Sequence, residues 1–131
     1  MSPTLLVVVG LALLVIVIWK LMGPSLGPHI AKAKDTGDLE PLIKAIDALK
    51  PGARPAAYNH AIRRIWDDYE RELAIELVKE LAKKHSDALI AQYWLKQVMQ
   101  VEPQMARDCL EEEFLKRYYQ PELAAQCGPV G

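Results

Sequence analysis

The chain is 131 residues long, 51% hydrophobic and 25% charged, with a formal net charge of −1. All 16 Lys and Arg residues lie at or beyond Lys20, so the chain beyond its apolar start is rich in charge, near neutral and mixed in sign. Such a balance lacks the basic stripe that nucleic acid requires, and two cysteines, Cys109 and Cys127, are too few for a disulfide scaffold.

Residues 5–19 are an unbroken apolar run, and Leu21 and Met22 extend it past Lys20. From Pro3 to Met22 this gives about 20 residues, or about 30 Å of helix, the thickness of a bilayer's hydrocarbon core. Trp19 and Lys20 suit the membrane interface, one ring at headgroup level and one amine reaching for water. Gly23-Pro24 ends the helix. No Lys or Arg precedes the run and no small-residue cleavage site comes after it, so residues 1–22 read as a retained anchor, not a signal peptide. Lys20, Lys32 and Lys34 lie after the span, with none before it. The positive-inside rule then puts the N-terminus outside and the C-terminal domain in the cytoplasm, as in a bacterial inner membrane. Gly10 stands alone in the span and no ionisable group lies midway, so neither a helix-pairing motif nor an ion path is present.

Residues 23–37 carry Gly23-Pro24 and Gly27-Pro28 and read as a partly extended hinge. A helical domain over 38–127 comes next, then a flexible tail at 128–131. Its first helix starts at an Asp38 cap with Pro41 in the first turn, buries Leu42, Ile43, Ile46 and Leu49, and closes at Pro51-Gly52. The second has the cleanest pattern, with Tyr58, Ala61, Ile62, Ile65, Trp66 and Tyr69 along one stripe. A third stripe is Leu73, Ala74, Leu77, Val78 and Leu81, ending in the cations Lys83, Lys84 and His85. No Gly or Pro separates these two helices. Asp67 or Asp68 as a cap, with Glu70 in capping-box spacing, predicts a break there. Ser86 or Asp87 caps a fourth helix that turns Ile90, Tyr93, Trp94 and Val98 inward. Pro103 opens a fifth with Met105, Cys109, Leu110 and Phe114 apolar, and Pro121 a last short turn. No segment alternates like a strand.

The stretch from Ala57-Tyr58-Asn59-His60-Ala61-Ile62 through Lys84-His85-Ser86-Asp87-Ala88-Leu89 resembles one unit of a tetratricopeptide (TPR) repeat. Ala74 stands where such a repeat wants a small residue, and Ser86 where its inter-repeat turn often carries proline. A second unit would run over 89–121 with Ala106 as its small residue. The usual glycine of the first helix is Ile62 here, and the two units differ in spacing. Arg54-Pro55-Ala56-Ala57 after a Leu-rich helix is similar to a HEAT repeat, so both pairings stay open. Either resemblance implies a protein-binding surface rather than an active site.

His29, His60 and His85 make no metal pattern with cysteines or carboxylates. Cys109 falls on an apolar stripe and behaves as a small hydrophobe. Glu111, Glu112 and Glu113 read as a solvated mid-helix face. Two patches point to a partner. Asn59, His60, Arg63 and Arg64 form a polar, cationic face on the second helix, suited to an acidic partner tail or to lipid headgroups. Tyr118 and Tyr119, with Phe114, offer an aromatic edge. The simpler alternative for each is a solvated face or core packing.

The sequence thus predicts an all-α protein: one N-terminal transmembrane helix plus a small antiparallel helical-hairpin (TPR-like or HEAT-like) domain. Its expected role is a membrane-tethered adaptor that recruits or positions a protein at the cytoplasmic face. The alternative is an accessory or assembly subunit held in a larger membrane complex by its transmembrane helix. The expected partners are the lipid bilayer and one or more proteins. No enzymatic activity, catalytic residue, metal, cofactor, nucleic acid or small-molecule substrate is predicted.

Overall fold

The computed structural model describes residues 3–22 and 26–126, and of 15–22 the backbone alone. The described residues are helical throughout apart from their joints, with no strand. The all-α expectation holds.

The membrane expectation is corrected. Helix α1 covers Pro3–Met22, but among the described residues no helix is long and apolar enough to cross a membrane. The single-pass topology falls with the span it rested on, as do the outside N-terminus, the cytoplasmic C-terminal domain and the bacterial inner-membrane location. The side chains of Trp19 and Lys20, expected at the interface, lie outside the described residues, as do Cys127 and the tail at 128–131.

The expected hinge is also different. Residues 27–36 form a helix, α2 (Gly27–Thr36), with Pro28 in its first turn. It stops where Gly37 takes φ +76° and its N–H bonds the Ala33 carbonyl at 2.8 Å, a left-handed cap that glycine adopts freely. Ile30 and Ala33 are 1% exposed, so the packed unit begins before residue 38. A Gly-Pro pair marks a helix start here as readily as a spacer.

Asp38 acts one step away from its expected place. Its Oδ1 accepts the Glu40 N–H at 3.0 Å, while the cap position of α3 (Glu40–Asp47) is Leu39. Leu42 and Ile46 are buried as predicted. A 3₁₀ turn at Pro51–Ala53 leads into α4 (Arg54–Asp67), which packs along α5 (Arg71–Lys84) in the most extensive helix pairing among the described residues. This hairpin supplies most of the core: Tyr58, Ala61, Ile62, Ile65, Ala74, Ile75, Leu77, Val78, Leu81 and Ala82 are all 0% exposed. Ala74 is among the buried residues of α5.

Helix α6 (Leu89–Val101) lies against α5 and touches α4. The cap expected at Ser86 or Asp87 is Ala88, with no side-chain bond. The predicted fifth helix is two: α7 (Pro103–Cys109) and α8 (Glu112–Tyr118), separated where Leu110 turns extended and buries its side chain. Glu111, Glu112 and Glu113 are therefore at the start of α8, not mid-helix, where carboxylates meet the positive end of the helix dipole. Helix α9 (Pro121–Ala125) returns to α6.

Candidate functional site

The break between α4 and α5 has no glycine, and how it is made shapes the candidate surface. The Tyr69 N–H bonds the Trp66 carbonyl at 3.0 Å and the Glu70 N–H reaches back to the Ile65 carbonyl at 3.2 Å. This pair of reversed bonds ends a helix only if the residue between is left-handed, and Tyr69 has φ +64°. Glycine is usual there. A residue with a Cβ costs about 1–2 kcal/mol in that conformation. The break stands as predicted, but its mechanism does not. Asp67 and Asp68 do not cap α5, whose cap position is Glu70, and Asp68 pairs instead with Lys34 of α2. Lys34 pulls the Asp68 carboxyl below its ordinary range. Tyr69, expected in the buried stripe, is 81% exposed.

Around this joint runs a strip of alternating cations and aromatic rings. The Arg71 guanidinium stacks on Trp66, 4.0 Å from the ring centroid, with Tyr69 at 5.3 Å. Trp66 meets Trp94 of α6 edge-on at 5.9 Å, and Tyr93 meets Trp94 at 5.4 Å. Arg63 lies over Trp94 at 5.5 Å. The indole N–H of Trp94 donates to Asn59 Oδ1 at 2.8 Å. Each contact has a simple cause. Positions 59, 63 and 66 recur at helical spacing on α4, and α6 brings Trp94 alongside.

Of the residues expected to bind a partner, the structure thus joins Asn59 and Arg63 on Trp94. Asn59 spends its side-chain oxygen inside the fold, while Arg63, Arg64 and His60 are exposed. Among the described residues neither Arg63 nor Arg71 has an ion pair. Tyr118 and Tyr119 belong elsewhere. Both are half-buried against the core, Tyr118 stacks on Phe114 at 4.8 Å, and the Tyr118 carbonyl accepts from Gln92 at 2.9 Å. Tyr119 also borders a shallow depression of about 490 Å³ with Gln120, Pro121, Glu122 and Leu123. Sequence reading missed Arg71, Tyr69 as an exposed ring, and Trp94 as the shared floor. Arg71 directly after an aromatic and acidic stretch carries no periodic signal of a stack.

Two polar networks hold the frame. Lys84 Nζ lies 2.5 Å from Asp47 Oδ2 and donates to the Tyr58 hydroxyl at 3.3 Å, which donates to Asp47 Oδ1 at 3.2 Å. Partial burial works upward on Asp47, but the Lys84 ammonium outweighs it and draws the carboxyl below its ordinary value. Burial lifts the Tyr58 hydroxyl above its usual range. For Lys84 burial works downward, and the bonds to Asp47 and Tyr58 raise it overall. The second network centres on Gln92, 0% exposed. Its Nε2 donates to the Ser86 carbonyl at 2.6 Å and its Oε1 accepts the Gln120 N–H at 2.7 Å.

On the other side of α5, two depressions of about 410 and 320 Å³ are edged by Asp38, Glu40, Glu76 and Glu80, and by Glu72, Glu102 and Asp108. Cys109 lines the second. Burial, then Glu76 and Glu72, push its thiol up, so at neutral pH it stays protonated and poorly nucleophilic. Among the described residues no group of His, Cys, Asp and Glu is placed to hold a metal ion. In comparison with known proteins, the chain matches no family model, no curated protein and no solved structure.

Proposed function

We propose that this protein is a helical adaptor, a binding module that recruits or positions another protein through the face of α4 and its neighbour α6. The observation that carries the reading is the exposed cationic face of α4, His60, Arg63 and Arg64, with Arg63 lying over the buried Trp94 ring. Arginine is enriched at interface hot spots, and among the described residues Arg63 and Arg64 form no ion pair. A rigid hairpin core beneath them keeps the surface pre-formed, which lowers the ordering cost of association. The packing of α4 on α5 as a helical hairpin is compatible with the same role, since packed hairpins present extended surfaces rather than enclosed pockets. No enzymatic activity is part of this reading.

Chemical crosslinking in cells followed by affinity purification tests it, comparing the native chain with Arg63→Glu/Arg64→Glu. A stoichiometric protein that disappears from the double variant, while its melting curve is unchanged, is the expected result. Equal recovery by both chains would remove the α4 face from the proposal.

A further inference from the structure

The joint between α8 and α9 is held the way a separate peptide is held. Tyr119 (φ −79°, ψ 126°) and Gln120 (φ −118°, ψ 94°) are extended, and one side chain spans them. The Gln92 Nε2 donates to the Tyr118 carbonyl at 2.9 Å, and its Oε1 accepts the Gln120 N–H at 2.7 Å. The C=O before a residue and the N–H after it are the two groups that a neighbouring strand engages in parallel pairing. The Gln92 carboxamide therefore stands in for a strand and reads backbone, which any non-proline segment offers. Its second Nε2 hydrogen goes to the Ser86 carbonyl at 2.6 Å. That bond lies within the α5–α6 turn, so the amide keeps its orientation when the clamped segment leaves.

The clamped segment is lightly held otherwise. Of α8 and α9 only Ala124 is fully buried, and regions with few buried apolar contacts open at low cost. Tyr118 and Tyr119 are half-buried on either side of the clamped peptide unit. A shallow depression of about 490 Å³ continues the same path along Tyr119, Gln120, Pro121, Glu122 and Leu123. We infer that Gln92 is a peptide clamp, filled in the free protein by the chain's own residues 118–120 as a displaceable strap. Its outside occupant is an extended segment of a partner protein with two adjacent aromatic residues where Tyr118 and Tyr119 stand. Main-chain bonds to Gln92 supply the grip, and the two rings supply the selection. Gln92 and Trp94 are two positions apart on α6 and face different sides of the helix. The clamp is thus a second site, independent of the arginine face of α4.

The test is fluorescence anisotropy with the full chain and a labelled peptide copying residues 114–126. The native chain should bind it weakly, because its own strap occupies the clamp. Gln120→Pro removes the N–H that Gln92 accepts and the Gln120 bond to the Ser86 carbonyl, so it loosens the strap and leaves the clamp intact. This variant should bind the peptide roughly ten-fold more tightly. A peptide N-methylated at the position of Gln120 lacks the same N–H and should bind about ten-fold more weakly than the parent peptide. That second comparison is read on the native chain too, so it stands whether or not the proline variant folds. No saturable binding, equal affinity of the native and Gln120→Pro chains, or equal affinity of the parent and N-methylated peptides would each overturn the inference. A native chain found dimeric by light scattering at the assay concentration would give the clamp to a second copy and overturn the partner assignment.

Discussion

The α4–α5 hairpin and the C-terminal stretch α7–α9 are built on different principles. The hairpin has two helices of 14 residues each, long enough to carry a full apolar stripe and bury it against a neighbour. The later helices have 7, 7 and 5 residues, too short to be stable alone. They place only Ala106, Leu110 and Ala124 fully inside. Half-buried Met105, Phe114, Leu115, Tyr118 and Tyr119 pack against the core, and a buried polar side chain ties the joints of this end together. Gln92 joins the α5–α6 turn, at the Ser86 carbonyl, to both sides of the α8–α9 joint, at the Tyr118 carbonyl and the Gln120 N–H. Gln120 Nε2 reinforces it with a bond to Ser86 at 3.1 Å. Packing alone supports one region, and in the other a satisfied buried amide adds to partial packing.

The sharpest break in this comparison should come from Leu77→Ala. Leu77 is 0% exposed at the centre of α5, and truncating it removes transfer energy and leaves a cavity, a loss of about 2–5 kcal/mol. Urea unfolding followed by circular dichroism should show the whole domain destabilised, since α2, α3, α6 and α7 all pack on this hairpin. A loss below about 1 kcal/mol would mean that the site collapses to fill the gap.

Gln92→Leu should come next. It keeps the volume roughly but leaves the Gln120 N–H and the Tyr118 carbonyl without their partner, a cost of about 1–3 kcal/mol for a buried unmet group. The effect should be local: hydrogen exchange should quicken at the Gln120 amide well before it quickens within α5. Equal acceleration in both regions would show that the two ends unfold as one.

Asp47→Asn should have the smallest effect, because water screens a pair as exposed as Lys84–Asp47, with 35% and 37% of the side chains accessible. The expected loss is on the order of 0.5–1 kcal/mol at neutral pH. Its pH signature is more telling. A lowered carboxylate contributes stability that is complete above its ordinary value near 3.8 and disappears as pH falls through the lowered one. Tyr58 and Lys84, both raised, contribute stability complete below 10.0 and 10.5 and lost as pH rises through their folded values. Native and variant chains should therefore converge in stability in strong acid and differ in between. Parallel curves down to the lowest pH would show that Asp47 carries no such linkage.

Much of the hairpin was legible because helical periodicity is a local property. Tyr58, Ala61, Ile62, Ile65, Trp66, Ala74, Leu77, Val78 and Leu81 were readable as an inward stripe from their spacing alone, and all are buried. Tyr69 fits the same spacing and is exposed, because the chain had left the helix two residues earlier. No local signal announced that, since the left-handed position holds a tyrosine where glycine is usual. The split between α7 and α8 was hidden for a similar reason. Leu110 satisfies an apolar helical pattern, yet it is buried from an extended backbone. On the candidate surface, Asn59, His60, Arg63 and Arg64 could be grouped by their shared face of one helix. Their floor, Trp94, lies 35 positions from Asn59, and Arg71 comes just after the joint.

The sequence by itself determined that this chain is helical, where most helices start, and which side chains of α4 and α5 turn inward. Proline positions, apolar spacing and the absence of strand alternation act over a few residues and need no tertiary context. Tertiary structure decided that residues 27–36 join the core, that Gln92 is a buried clip, and that Arg63 and Arg71 lie over tryptophans that meet edge-on from two helices. These depend on which surfaces meet, and contacts between residues far apart in the chain exist only once the helices have packed.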